Sequence, residues 1–296
     1  MTRLFAALLA AFLAAFAWLA PAHADPALFV ARAPGITAYI LGSVHALKPG
    51  TAWRTPEIGT ALDAASELWF ETILPESPAD ALVLIIPGLD PAQRLPKLLG
   101  AADHTLLERR ATTLGMPGGV GFLDKMYPWL AYITLASLEI KAAGLDEKNG
   151  VDHVLQHEGT AAHKPIFGFE TPAQQVGFFS AQPEPVMVRL LHDQLHAPAE
   201  TRRLLDRMVP AWLAGDIPTV ARQMNAATAA LGPDFTRILL ASRNQAWADK
   251  LDGMRGTEKT IFVTVGAGHL AGPGNLRDDL VKKGFTARRV RPGVAP

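Results

Sequence analysis

The sequence predicts an α/β protein in which strands from both chain ends form a central mixed sheet, interrupted by a large helical insertion. Three observations carry this expectation. Ala38-Tyr39-Ile40-Leu41 and Ile261-Phe262-Val263-Thr264-Val265 are apolar runs stopped by glycine, as buried strands are. Each is followed by the same kind of loop, Leu41-Gly42-Ser43-Val44-His45 and Val265-Gly266-Ala267-Gly268-His269, with a histidine three residues after the glycine. Between them, from about residue 80 to about residue 250, apolar residues recur mainly at the three- and four-residue spacing of helices.

The elements follow in order. Met1-Thr2-Arg3, the apolar segment Leu4 to Ala20, Pro21 and Ala22-His23-Ala24 read as a secretory signal peptide over residues 1 to 24, cleaved after Ala24; an uncleaved anchor is the alternative. The remaining chain, 25 to 296, is expected to form a single domain. Ala27 to Arg32 and Thr37 to Leu41 form a hairpin around Ala33-Pro34-Gly35. Pro56 to Ala65 is a helix and Glu67 to Glu71 the next strand. Asp103 to Leu114, Met126 to Ala143 and Gly150 to Glu158 are helical, and Pro165 to Glu170 is a strand. Helices resume from Pro172 to Leu251, with breaks expected at Pro198, Gly215-Asp216, Pro218 and Gly232-Pro233. The chain closes with the Ile261 to Val265 strand, a helix near Asn275 to Lys283 capped by Gly284, and a strand near Ala287 to Val290.

Composition narrows the function. The absence of cysteine removes disulfides, thiolate metal sites, a cysteine nucleophile and lipid attachment to an N-terminal cysteine. Lysine plus arginine equals aspartate plus glutamate, 28 each, so no net field favours nucleic acid or an anionic membrane. The expected place is the periplasm or the exterior, with no stable membrane insertion once the leader is cleaved. No Gly-x-Ser-x-Gly elbow or Walker-type loop occurs, and Gly266, Gly268 and Gly272 miss the dinucleotide spacing by one residue.

Four expected strands end in a possible ligand: His45, Glu71, Glu170 and His269. In open α/β sheets the loops leaving the carboxyl ends of strands hold the ligand. Two imidazoles and two carboxylates suit a divalent ion such as manganese, cobalt or zinc, which lowers the pKa of a bound water. A single glutamate at a strand end is more often a salt-bridged rim residue; repetition at four ends is what counts. His153 with His157, and His192 with His196, lie four apart on helices but lack the His-Glu-x-x-His order and an evident third ligand, so they read as solvated faces. His104 and His163 carry no pattern.

The chain resembles the TraB/PrgY/GumN family, especially its exported GumN-like branch. The resemblance rests on Tyr39 to His45, the strand ending at Glu71, Pro128-Trp129, Gly150-Val151-Asp152, Gly168 to Pro172 with Gln175, Trp212 with Gly215-Asp216, Arg243-Asn244 with Trp247-Ala248, and Val265 to Gly272. Ser43 stands where the family often has threonine. Relatives of that family include the Tiki proteases and, at greater distance, erythromycin esterases and haem-binding ChaN proteins. The resemblance implies a two-part α/β fold of the erythromycin esterase/ChaN type, with the site where the Gly-x-x-His loops meet. It implies His45 and His269 as metal ligands or acid/base groups, Glu71 as catalytic or metal-binding, and Glu170, Arg243 and Asn244 as further site residues. A guanidinium such as that of Arg243 can clamp a carboxylate or stabilise an oxyanion.

The expected function is therefore a periplasmic metal-dependent hydrolase, a peptidase, acting on an unidentified peptide or small molecule. Either Glu71 or Glu170 would activate water. Two alternatives stay open: a metal-independent, esterase-like hydrolase with His45 as general base, and a non-enzymatic haem- or iron-binding protein.

Overall fold

The computed structural model describes residues 24–75, 77–229 and 231–293. The apolar segment Leu4 to Ala20, expected to belong to a leader, lies outside the described residues. Among the described residues no helix is long and apolar enough to cross a membrane.

The chain opens with the expected hairpin, β1 (Leu28–Ala33) and β2 (Ile36–Ser43), antiparallel in register Leu28 to Leu41. Helix α1 (Pro56–Ala64) follows, its start set by the Thr55 hydroxyl accepting from the Ile58 N–H and by Pro56 in the first turn. Strand β3 (Glu67–Thr72) leads into the helical insertion: α2 (Pro78–Ile85), α3 (Leu95–Thr113), α4 (Val120–Leu123), α5 (Pro128–Ala142) and α6 (Val151–Ala161). After β4 (Ile166–Glu170) come α7 (Pro172–Ser180), α8 (Glu184–His196), α9 (Glu200–Leu213), α10 (Ile217–Ala229), α11 (Pro233–Leu239) and α12 (Ala241–Asp252). Strand β5 (Lys259–Gly266), helix α13 (Leu276–Lys282) and β6 (Thr286–Arg289) complete the chain.

Breaks fall at Pro198, Gly215-Asp216 and Gly232, as expected. Pro218 corrects the reading: it stands in the first turn of α10, where its missing N–H interrupts no helical bond. A further break at Gln182-Pro183 separates α7 from α8.

The six strands run in the order β4-β3-β5-β2-β1-β6. Strands β4, β3, β5 and β2 are mutually parallel, and β1 is antiparallel to both its neighbours. This is the mixed sheet built from both chain ends. Its two faces bury different alternate residues. One carries Tyr39, Leu41, Leu68, Phe70 and Phe262 under α1, α6 and α9; the other carries Ala38, Ile40, Ile261, Val263 and Val265 under α12 and α13. Trp212 of α9 is locked to the sheet by donating its indole N–H to the Gly42 carbonyl at 2.7 Å. Helices α3, α4, α5 and α8 build a separate core around Leu107, Leu123, Leu135, Leu191 and Leu195. That core lies within the helical insertion.

Register fixes the site. Ser43 of β2 pairs with Gly266 of β5, Phe70 of β3 with Thr264, and Thr72 with Glu170 of β4. Four neighbouring parallel strands therefore end level with one another, and their carboxyl ends form one edge, where α/β sheets bind ligands.

Candidate functional site

His45 enters this edge two residues after β2. Its imidazole Nδ1 donates to Asp152 Oδ2 at 2.7 Å, and Ser43 Oγ donates to Asp152 Oδ1 at 3.0 Å. Asp152 reaches them because the start of α6 docks on the His45 loop: the Val151 N–H donates to the Val44 carbonyl at 3.1 Å. Only glycine permits that approach, since a Cβ at Gly150 would lie 2.0 Å from the His45 carbonyl oxygen. The charge of Asp152, reinforced by the hydrogen bond and by Glu71, lifts the His45 imidazole to about 9. Its side chain stays 63% exposed, open to the cleft.

Glu71 and Glu170 share one guanidinium. Arg243 of α12 donates from Nε to Glu170 Oε1 at 2.7 Å, and from Nη2 to Glu170 Oε2 at 2.8 Å and Glu71 Oε2 at 2.5 Å. Its Nη1 donates to the Leu239 carbonyl at 3.1 Å and to His269 Nε2 at 3.2 Å. All five N–H donors of the arginine are thus taken. The guanidinium also stacks over the Trp247 ring at 4.7 Å and the Phe178 ring at 5.1 Å. Of the two roles open to Arg243, the geometry supplies the carboxylate clamp; no donor is left for an oxyanion.

Glu71 keeps one oxygen at the cleft. Oε1 accepts from the Gly266 N–H at 2.6 Å, and Gln175 Nε2 donates to Oε2 at 3.3 Å. Burial alone would raise this carboxyl, but His269, Arg243 and His45, with the Gly266 N–H, hold it at about 2. Glu170 is more fully engaged: besides both bonds to Arg243, its Oε1 accepts from Trp247 Nε1 at 3.0 Å.

His269 is buried, in the short turn after β5. Its Nδ1 donates to Asn244 Oδ1 at 2.7 Å, and Asn244 Nδ2 donates to the Gly274 carbonyl at 2.8 Å. The lone pair is thereby placed on Nε2, 3.6 Å from Glu71 Oε1. Burial depresses the imidazole to about 4, so it is neutral at physiological pH.

All six residues expected from the sequence, His45, Glu71, Glu170, Arg243, Asn244 and His269, meet here. Asp152, Gln175 and Trp247 complete the network without having been assigned roles there. Each stands in a motif of the resemblance, and an acidic residue in the first turn behind the helix-starting Gly150 was the available sign of Asp152. Two cavities of about 490 Å³ and 470 Å³ share His45, Glu71 and Gln175. The first is apolar, lined by Phe178, Phe179, Leu205, Met208 and Met224; the second is mixed, with Asp152, His153 and Gln156 beside Leu74, Pro75 and Ala81. His153 therefore borders the cleft, whereas His192 and His196 lie on α8 in the helical layer.

The donor chemistry at the strand ends fits a divalent ion. His45 and His269 have their Nδ1 atoms held by a carboxylate and an amide, the outer partners that orient imidazole ligands. A Cβ placed on Gly266 would lie 3.1 Å from Glu71 Oε1 and 3.2 Å from His45 Nε2, so both atoms face the same space. The set is not gathered: His269 Nε2, 3.6 Å from Glu71 Oε1, already accepts from Arg243, so a bound ion would displace that bond, and His45, Glu71 and His269 do not together meet the 4.8 Å mutual spacing that Asp103, His192 and His196 meet.

Comparison with known proteins agrees with this reading of the motifs. An uncharacterized protein of Treponema pallidum (strain Nichols) is 22% identical over 275 residues, covering 88% of this chain and 82% of its own. No solved structure matches the chain significantly. The model of the TraB/PrgY/gumN family matches residues 27–289, nearly the whole described chain from β1 to β6 and every residue of the site. The chain belongs to the TraB/PrgY/gumN family.

Proposed function

We propose that the chain is an exported, periplasmic metal-dependent hydrolase that cleaves peptide bonds at the carboxyl ends of β2, β3 and β5. The observation that carries this reading is the convergence of His45 Nε2 and Glu71 Oε1 on the space beside Gly266, where two cavities meet.

Glu71 is the carboxylate placed to orient the attacking water, because it lines both cavities. Glu170 and Arg243 position Glu71, and Asp152 and Asn244 position the two imidazoles. His45 Nε2, His269 Nε2 and Glu71 are the groups that would hold a manganese, cobalt or zinc ion, which when bound supplies a Lewis acid and a water of lowered pKa. The chain's own groups sit at about 2, 4 and 9, so none is a base matched to neutral pH. A peptide laid across the junction places an apolar side chain against Phe178, Phe179 and Met208 and its continuation in the cavity that holds Asp152, His153 and Gln156. The kinship of the family with the Tiki proteases supports a peptide bond over an ester. Export is supported by the leader pattern of residues 1 to 24, and Asp25 is already part of the fold, its N–H donating to the Leu213 carbonyl at 2.7 Å.

The test uses chain purified from Asp25 onward, stripped by a chelator, reloaded with manganese, cobalt or zinc and incubated with a peptide library read by mass spectrometry. Cleavage that needs the reloaded ion and vanishes in His45→Ala/His269→Ala is the expected result. No cleavage with any of the three ions, or equal cleavage by the double variant, overturns the proposal. Hydrolysis that survives exhaustive chelation favours the metal-free reading, with one change: the Asp152 pairing keeps His45 protonated at neutral pH, which suits a proton donor rather than a general base.

A further inference from the structure

The geometry points to a second metal site, in the helical layer and independent of the proposed hydrolytic centre: we propose that Asp103, His192 and His196 bind one zinc-type divalent ion that clasps α3 to the last turn of α8. The i, i+4 spacing puts both imidazoles on one face of α8, where their ring centroids lie 4.3 Å apart. Asp103 of α3 supplies the third ligand that the spacing alone lacked. Its Oδ2 lies 2.5 Å from His192 Nδ1 and its Oδ1 lies 2.9 Å from His196 Nε2. One donor atom from each residue lies within 4.8 Å of the others. Ligands around a tetrahedral zinc ion stand roughly 3.3 Å apart, given zinc bonds of about 2.0 Å, so small side-chain rotations close the set.

The alternative is a pair of hydrogen bonds from the two rings to Asp103, one to each carboxylate oxygen. A divalent ion takes the place of the protons between Asp103 and both rings and engages all three donors together. Two imidazoles and one carboxylate select zinc, cobalt, nickel or copper over magnesium or calcium. The side chains of His192 and His196 are 47% and 50% exposed while that of Asp103 is 14% exposed, which leaves an entry path and room for water in the remaining positions. His104, beside Asp103, is turned away to Asp124 at 2.9 Å. Leu107 of α3 and Leu191 and Leu195 of α8 already pack in one core, so the ion joins two helices held at fixed spacing. From His196 the chain passes directly into α9, whose Leu205 and Met208 line the apolar half of the cleft.

The test is zinc titration by calorimetry on the full chain without a histidine tag, in a His45→Ala/His269→Ala background that removes the first centre's imidazoles. One zinc ion bound per chain at micromolar concentration is expected. Adding Asp103→Asn, His192→Gln and His196→Gln to that background abolishes it, and His192→Gln alone weakens it at least about tenfold, the scale of even outer-partner losses. Cobalt in place of zinc gives a visible absorption band that the added substitutions remove. The two histidines are half-exposed on the helical layer, and unchanged far-ultraviolet circular dichroism shows the variants fold. No zinc bound in the background chain, or the same stoichiometry after the three substitutions, overturns the proposal and leaves the hydrolytic centre untouched.

Discussion

Asn244 Oδ1 accepts from His269 Nδ1 at 2.7 Å while the other end of the same amide donates to the Gly274 carbonyl, so Asn244 dictates which nitrogen of His269 carries the proton. Substitution tests this directly. Asn244→Asp replaces a neutral acceptor by a charge beside Nδ1–H and raises the His269 pKa from about 4 toward or above its ordinary 6.5, read by NMR titration of the ring. An unmoved His269 titration would sink the assignment.

Arg243 is expected to matter for folding as much as for activity. Replacing it with Met leaves Glu71 and Glu170 buried without their shared cation, a loss on the order of 3–5 kcal/mol in urea unfolding. Arg243→Met/Glu170→Gln should recover part of it, because one orphaned charge is removed. If the double variant is no more stable than Arg243→Met, the clamp is not what holds the pair.

Acid stability should fall in two stages. The free His269 imidazole titrates near 6.5 and the folded one at about 4, so between those values the unfolded chain binds a proton that the folded chain refuses. Stability therefore declines as pH falls through that window, by about 3 kcal/mol from this group. Glu71, at about 2 against 4.5, extends the decline at lower pH in the same direction. His269→Gln should flatten the upper stage of a plot of urea midpoint against pH and shrink the lower one, because His269 is among the groups that hold Glu71 down.

The alkaline side runs the other way. Because Asp152 raises His45 to about 9 from 6.5, the stabilisation is present below 6.5 and lost as pH rises through 9. Asp152→Asn should bring the His45 titration back toward 6.5 by NMR and remove that slope; an unchanged His45 pKa contradicts the pairing.

Gly150 is expected to tolerate no side chain. In Gly150→Ala the new methyl meets the His45 carbonyl, and the His45 loop or α6 must move apart. A loss of about 1–3 kcal/mol is expected, with Asp152 pulled from His45, so the His45 pKa falls in the same variant. A stable Gly150→Ala protein with an unshifted His45 would show that the close approach carries nothing.

Much of this site is legible in the chain itself. Strand ends announce themselves where apolar runs stop, at glycine before His45 and His269 and at the carboxylates Glu71 and Glu170 themselves, which is why all four can be placed before any contact is known. Less legible is what each group touches. Asp152 lies 107 residues from His45 and Arg243 lies 172 from Glu71, separations over which spacing has no meaning. His192 and His196 look like a solvated face for the same reason, since the Asp103 carboxylate reaches them from another helix. Pro218 reads as a break because proline is a punctuator, yet a first turn accepts it without loss.

The kind of fold and the four strand ends are written in the chain, because apolar period and the stops that end it are local properties. Tertiary structure alone decided the roles. The parallel register of β2, β5, β3 and β4 brought those ends level, and folding surrounded Arg243 with five acceptors, turning a possible oxyanion donor into a brace. It also left one imidazole exposed beside the Asp152 carboxylate and buried the other, so that the histidines of two near-identical loops are shifted in opposite directions, one up to about 9 and one down to about 4. Charge and burial at a point in space are sums over the whole fold, and no stretch of sequence contains them.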